Sequence, residues 1–117
     1  MFDVTNNTIT LSRGDTGGLT ITAEGYDFGE ADRALFSIKN GSGTVVKQQI
    51  YAMEDNVFQV TFFNADTDNL TPGTYTWDVR YVINPYYDEA GNIIDGDQVI
   101  TPLQPQALNL LTVVGEI

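Results

Sequence analysis

Tyr75-Thr76-Trp77-Asp78-Val79-Arg80-Tyr81 alternates without a break. Its odd positions carry Tyr, Trp, Val and Tyr, and its even positions carry Thr, Asp and Arg. A β-strand sends successive side chains to opposite faces, so this segment is read as a strand with one buried face. Helical spacing would put Asp78 or Arg80 among the apolar residues. Trp77 stands in the middle of the inward stripe and is assigned to the core. Thr71-Pro72-Gly73 starts the strand, Pro presetting φ and Gly supplying the freedom of a turn.

Working outward, the same period of two recurs. Thr8-Ile9-Thr10-Leu11 and Leu19-Thr20-Ile21-Thr22-Ala23 alternate. In Ala34-Leu35-Phe36-Ser37-Ile38-Lys39 the inward set is Ala34, Phe36 and Ile38. Phe58-Gln59-Val60-Thr61-Phe62 carries aromatic and branched residues on one face. The expected core is Ile21, Phe36, Ile38, Phe58, Val60, Phe62, Tyr75, Trp77, Val79 and Leu111. Turn signals separate these runs: Arg13 to Gly18, Asn40-Gly41-Ser42-Gly43 before a strand over 44–51, and Met53-Glu54-Asp55-Asn56 closing the next hairpin. Asp66 to Leu70 fits one helical turn, with Asn64 or Asp66 as its cap. Short strands at this spacing predict an all-β, antiparallel sandwich or barrel.

Residues 84–106 break the rhythm. They hold three of the four prolines and an acidic, Gly-containing stretch from Asp88 to Asp97. A structureless loop of this length is unusual in a compact domain. The segment is read as a long excursion before the last strand (107–114), with a hairpin pairing Tyr86-Tyr87 with Ile93-Ile94 across Ala90-Gly91.

The chain has 117 residues, so 1–117 form a single domain. Five Lys and Arg stand against 16 Asp and Glu, a net charge of -11. Such a chain lacks the cationic surface that nucleic acid or an anionic membrane requires. With no Cys and no His, it has no thiol nucleophile, imidazole base, disulfide framework or zinc-finger ligand set. Ser12, Ser37 and Ser42 lack a histidine to activate them. Lys39 and Lys47 are expected to point outward from their strands. No pair of carboxylates is singled out as flanking a cleft. The expectation is a protein that is not an enzyme and carries no cofactor.

Asp88, Glu89, Asn92, Asp95 and Asp97 supply the oxygens calcium would use. The spacing fits no EF-hand, and two polar turns account for the same residues; Asp88, Asp95 and Asp97 are the calcium candidates. Arg13-Gly14-Asp15 spells an integrin-binding tripeptide but also a common turn. Tyr26, Phe28, Phe63, Tyr86 and Tyr87 lie in loops or on polar faces. Exposed tyrosines of this kind stack on sugar rings or anchor protein interfaces. The interface candidates are Tyr86, Tyr87, Ile93, Ile94 and Leu103, apolar side chains outside the regular core.

Three segments together resemble a known family. Ile9-Thr10-Leu11-Ser12-Arg13-Gly14-Asp15-Thr16 is similar to the opening of small prophage-encoded β domains, and Ala34 to Lys39 to their Ala-x-Phe-x-Ile-Lys strand. Asp66-Thr67-Asp68-Asn69-Leu70-Thr71-Pro72-Gly73-Thr74-Tyr75-Thr76-Trp77-Asp78-Val79 resembles their Leu-x-Pro-Gly-x-Tyr segment. The family is the immunoglobulin-like N-terminal domains of baseplate upper proteins and related tail or minor structural proteins of tailed phages. The resemblance spans residues 8–114. It implies an all-β, antiparallel immunoglobulin-like sandwich of about seven strands, and a virion component that assembles with other tail subunits or with copies of itself. The 84–106 excursion departs from the family, where a short turn is usual, so no contact surface carries over. Met1-Phe2-Asp3-Val4 lacks the features of a signal peptide, and no apolar run approaches the ~20 residues of a membrane span. Synthesis in the bacterial cytoplasm and residence in the virion are therefore expected. A carbohydrate-binding or adhesive β-sandwich module is the alternative.

Overall fold

The computed structural model describes residues 2–5, 8–23, 27–53, 55–100 and 109–114. Nine strands and one helical turn follow in order: β1 (Phe2–Thr5), β2 (Thr8–Ser12), β3 (Gly17–Thr22), β4 (Arg33–Lys39), β5 (Val45–Ala52), β6 (Val57–Phe62), α1 (Asn64–Thr67), β7 (Gly73–Tyr87), β8 (Ile93–Ile100) and β9 (Leu110–Val114). The alternating runs all become strands. The first, β1, comes from a segment with no such reading.

The larger sheet has seven strands in the order β1-β2-β9-β7-β4-β5, with β8 added beside β7. The smaller sheet is the pair β3-β6. Together they make an all-β, sandwich-like fold. The larger sheet is mixed, not purely antiparallel as expected, because β2 and β9 run parallel from Thr8↔Leu110 to Ser12↔Val114. These two strands come from opposite ends of the chain, so no tight turn forces them antiparallel.

The core lies between the two sheets. From the larger come Ile9, Leu11, Phe36, Ile38, Leu111 and Val113, and from the smaller Phe58, Val60 and Phe62, all buried. An aromatic chain links the layers: Phe2 to Phe62 at 5.8 Å, Phe62 edge-on to Phe36 at 5.8 Å, and Phe36 stacked on Trp77 at 5.4 Å. Such pairs add to the stabilisation that burial alone gives. All of the expected core is buried except Ile21 and Trp77, and both pack against it as partly buried residues. Tyr75, Val79 and Tyr81 are buried while Arg80 is exposed, so the phase of the strand is as its alternation predicts.

Two further readings need correction. The Met53–Asn56 turn does not close a hairpin. β5 pairs with β4, and β6 pairs with β3, so this turn carries the chain from one sheet to the other. Asp55 and Asn56 both adopt positive φ (51° and 62°), and the Asn56 carbonyl accepts the Ala23 N–H. Lys47 does not point outward. It stands opposite Ile38 and therefore on the inner side, where its ammonium meets Asp66 at 2.8 Å. A bulge between Ile38 and Lys39 shifts the β4–β5 register, which the local pattern of β5 does not encode.

A single helical turn forms, but over Asn64–Thr67 and so two residues before the expected start at Asp66, with Phe63 as its N-cap. The Asp66 carboxylate accepts the Phe63 N–H at 2.7 Å. The Asn64 side chain instead donates to the Gly14 carbonyl, and the buried Thr67 hydroxyl donates to the Asp15 carbonyl.

Candidate functional site

Within the described residues the long excursion is the end of β7 and all of β8, and 101–106 lie outside them. β7 runs beyond its β9 partner, whose pairing ends at Thr76↔Leu110, and pairs with β8 from Tyr81↔Ile100 to Tyr87↔Ile93. The expected hairpin therefore forms and is longer than expected. Asp88 builds its turn: the carboxylate accepts the Ala90 and Asn92 N–H groups, each at 2.9 Å, and Gly91 supplies φ +86°. Those N–H groups hold the Asp88 carboxyl below its ordinary range, the Asn92 bond contributing most. Tyr86 pairs with Asp95 and Tyr87 with Ile93, which leaves Ile94 as the extra residue of a bulge. Ile94 is 66% exposed.

β7 bends at Asn84, which adopts φ +48°. Asparagine tolerates this left-handed region better than most residues, and the following Pro85 marks the break in the strand. The buried Asp32 carboxylate holds the bend. One oxygen accepts the Asn84 N–H at 2.9 Å and the other the Gly29 N–H at 2.7 Å. The Asn84 amide donates to Asp97 at 2.9 Å, and the Tyr86 hydroxyl donates to the other Asp97 oxygen. These bonds hold the Asp97 carboxyl below its ordinary range and push the Tyr86 phenol above its own.

Beyond the bend, the hairpin lies against the outward face of the larger sheet. A Cβ on Gly96 would stand 2.4 Å from Val82 Cγ1 and 2.9 Å from the Ile83 carbonyl. Only glycine permits that approach. Val82, an outward-facing position on β7, is consequently 1% exposed.

A groove of two adjoining hollows runs along the outward face of the larger sheet, the second of them walled by the hairpin. One, of about 280 Å³, is lined by Leu35, Ser37, Lys39, Val45, Asp78 and Arg80 among others. The next, of about 230 Å³, is lined by Val82, Ile93, Ile94, Asp95 and Val99, and shares Leu35, Gln48 and Arg80 with the first. Lys39 is paired with Asp78 at 3.0 Å.

The calcium candidates are not gathered. Asp88 caps the turn, Asp97 holds Asn84 and Tyr86, and Asp95 accepts the Gly96 N–H at 2.8 Å. Among the described residues no group of three or more acidic side chains is placed to hold a metal ion. Tyr86, Tyr87, Ile93 and Ile94 are brought together on the hairpin. Leu103 and Tyr26 lie outside the described residues. Phe28 packs on Tyr81 at 4.9 Å, while Phe63 is exposed. Arg13-Gly14-Asp15 is a closed turn: Asp15 accepts the Ser12 N–H at 2.7 Å, and the Arg13 guanidinium donates to the Asp68 carbonyl.

Sequence reading missed Arg80, Asp32 and Gly96 as parts of this site. Gly96 carried a signal, since glycine inside a strand marks close approach. Comparison with protein families, curated proteins and solved structures gave no match.

Proposed function

We propose that this chain is a non-catalytic assembly domain that works through protein–protein contacts, made by β5 and the β7–β8 hairpin. One observation carries this reading. Of the large apolar side chains exposed among the described residues, all but Val4 and Phe63 stand on those two elements: Val45, Val46, Ile50, Tyr86, Tyr87, Ile94 and Val99. Exposed apolar groups concentrated on one part of a domain mark an interaction surface. β5 is also an edge strand with free backbone groups.

The setting we propose is a tailed-phage virion, with tail or baseplate subunits as partners. The resemblance noted in the sequence supports it. The immunoglobulin-like assignment gains support from Tyr75, whose hydroxyl donates to the Thr71 carbonyl at 2.7 Å. A tyrosine bonded back to the chain a few residues upstream is a feature of such sandwiches.

The test is association with particles. Phage particles purified from an induced lysate should contain the chain. Ile94→Asp, at a site 66% exposed, should fold with an unchanged melting temperature and be lost from the particles. Absence of the native chain from every particle fraction would remove the virion reading. Selective binding on a glycan array, without protein association, would put the carbohydrate-binding alternative in its place.

A further inference from the structure

The chain has five cationic side chains. Four are engaged: Arg13 with the Asp68 carbonyl, Arg33 with the Glu30 and Asp32 carbonyls, Lys39 with Asp78, and Lys47 with Asp66. Arg80 makes no hydrogen bond or ion pair with any described residue, and it lines both hollows of the groove. In a chain of net charge -11 an unpaired guanidinium stands out. The two acids that line the hollows with it are engaged, Asp78 with Lys39 and Asp95 with the Gly96 N–H.

We propose that the groove binds an extended peptide segment of a partner subunit, with one carboxylate on Arg80 and an aliphatic side chain two residues away. This rests on the assembly role proposed above and specifies its ligand. The groove follows the strand direction. On β7 its floor reads Asp78, Arg80, Val82, and on β4 Lys39, Ser37, Leu35. Same-face positions on a strand repeat every ~7 Å, so an extended peptide presents its own alternate side chains in step with this floor. A carboxylate over Arg80 accepts two parallel N–H bonds from the guanidinium. The next same-face side chain then meets Leu35, Val82, Ile94 and Val99, an aliphatic wall.

The chemistry selects against other anions. Among the described residues no aromatic ring lines either hollow, so none offers a sugar ring a face to stack on. A phosphate would meet Asp78 and Asp95 along with a single free cation. Polyacidic ligands are repelled at long range by the chain's net charge, which favours one carboxylate set among apolar groups.

The probe is a fluorescein-labelled heptapeptide of alternating valine and threonine with one central glutamate, read by fluorescence polarisation on the whole chain. Saturable binding is expected. Exchanging the glutamate for glutamine should weaken it about tenfold, the scale of a charge-assisted pair. Arg80→Gln should weaken glutamate-peptide binding by the same factor and abolish the difference between the two peptides. Arg80→Lys should retain part of the preference. The proposal is overturned if the native chain shows no polarisation change up to millimolar peptide, or if folded Arg80→Gln binds the glutamate peptide as tightly as the native chain. The two readings separate cleanly. Loss of Ile94→Asp from particles alongside either of those results removes the groove and keeps the assembly role. Arg80-dependent binding by a chain absent from particles keeps the groove and removes the assembly role.

Discussion

The Asp32 carboxylate accepts the Asn84 backbone N–H at 2.9 Å, joining the loop before β4 to the bend of β7 across 52 residues of chain. The bond fixes where β7 stops being part of the flat sheet and starts to turn over its outer face. Asp32 is 7% exposed, whereas the Asn84 and Gly29 it holds lie at the surface.

Asp32→Ala leaves the Asn84 and Gly29 N–H groups without their acceptor. A bond to a charged group is worth about 1.5–3 kcal/mol, and the exposure of Asn84 and Gly29 lets water replace part of both. A fall in unfolding free energy of about 2–4 kcal/mol is expected from urea denaturation. Asp32→Asn keeps one carbonyl acceptor and should cost less.

Gly96→Ala forces a Cβ into Val82 Cγ1 and the Ile83 carbonyl. Overpacking of this kind costs about 1–3 kcal/mol. The hairpin gives way more easily than the core, so residues 93–99 should lose amide-exchange protection while β2 and β9 keep theirs.

Trp77 stacks on Phe36 but stays partly exposed, whereas Phe36 is fully buried. Trp77→Ala should cost about 3 kcal/mol, at the low end for a large aromatic, and Phe36→Ala about 4 kcal/mol. Tyr75→Phe removes only the hydroxyl bonded to Thr71 and should cost about 1 kcal/mol. Thermal unfolding of the three variants gives the ranking.

Burial acts to raise the Asp66 carboxyl, but the Lys47 ammonium, the Phe63 N–H and the Gln49 amide outweigh it and hold it below 3.8. A depressed folded value stabilises the protein above the ordinary carboxylate range, and that stabilisation is lost as pH falls through the folded value. The native chain should therefore lose stability more steeply below about pH 4 than Asp66→Asn does. Urea midpoints measured across that range check the slope.

The Tyr86 phenol is pushed above 10.0 by the hydrogen bond it gives to Asp97, and the same bond holds Asp97 below 3.8. The raised phenol contributes below about pH 10 and is lost as pH rises through its folded value. The depressed carboxyl contributes above about pH 4, so the clasp operates between the two. Phenolate absorbance should show Tyr86 among the late-titrating tyrosines. Asp97→Asn should bring that one tyrosine back to the ordinary range.

Much of the strand layout was legible in the residues. Tyr75, Val79 and Tyr81 face inward because a buried face writes itself into every second position. The Asn40–Gly43 turn was legible too, since the Asn40 side chain accepts the Ser42 and Thr44 N–H groups within a few residues. The site was half legible. Tyr86, Tyr87, Ile93 and Ile94 stood out as apolar residues in an irregular segment, but the groove with Arg80 did not.

The amino-acid sequence by itself determined that β2, β3, β4, β6 and β7 are strands and which of their faces is buried, because both follow from side chains a few positions apart. Only the tertiary structure decided that β2 lies parallel to β9, that the Asp55–Asn56 turn changes sheets, and that Lys47 turns inward to Asp66. It alone decided that Gly96 sits on Val82 and that Arg80 opens into a groove. Each depends on which distant segments meet and in what register. A single shift such as the bulge at Ile38 and Lys39 resets every face beyond it, and no local pattern records such a shift.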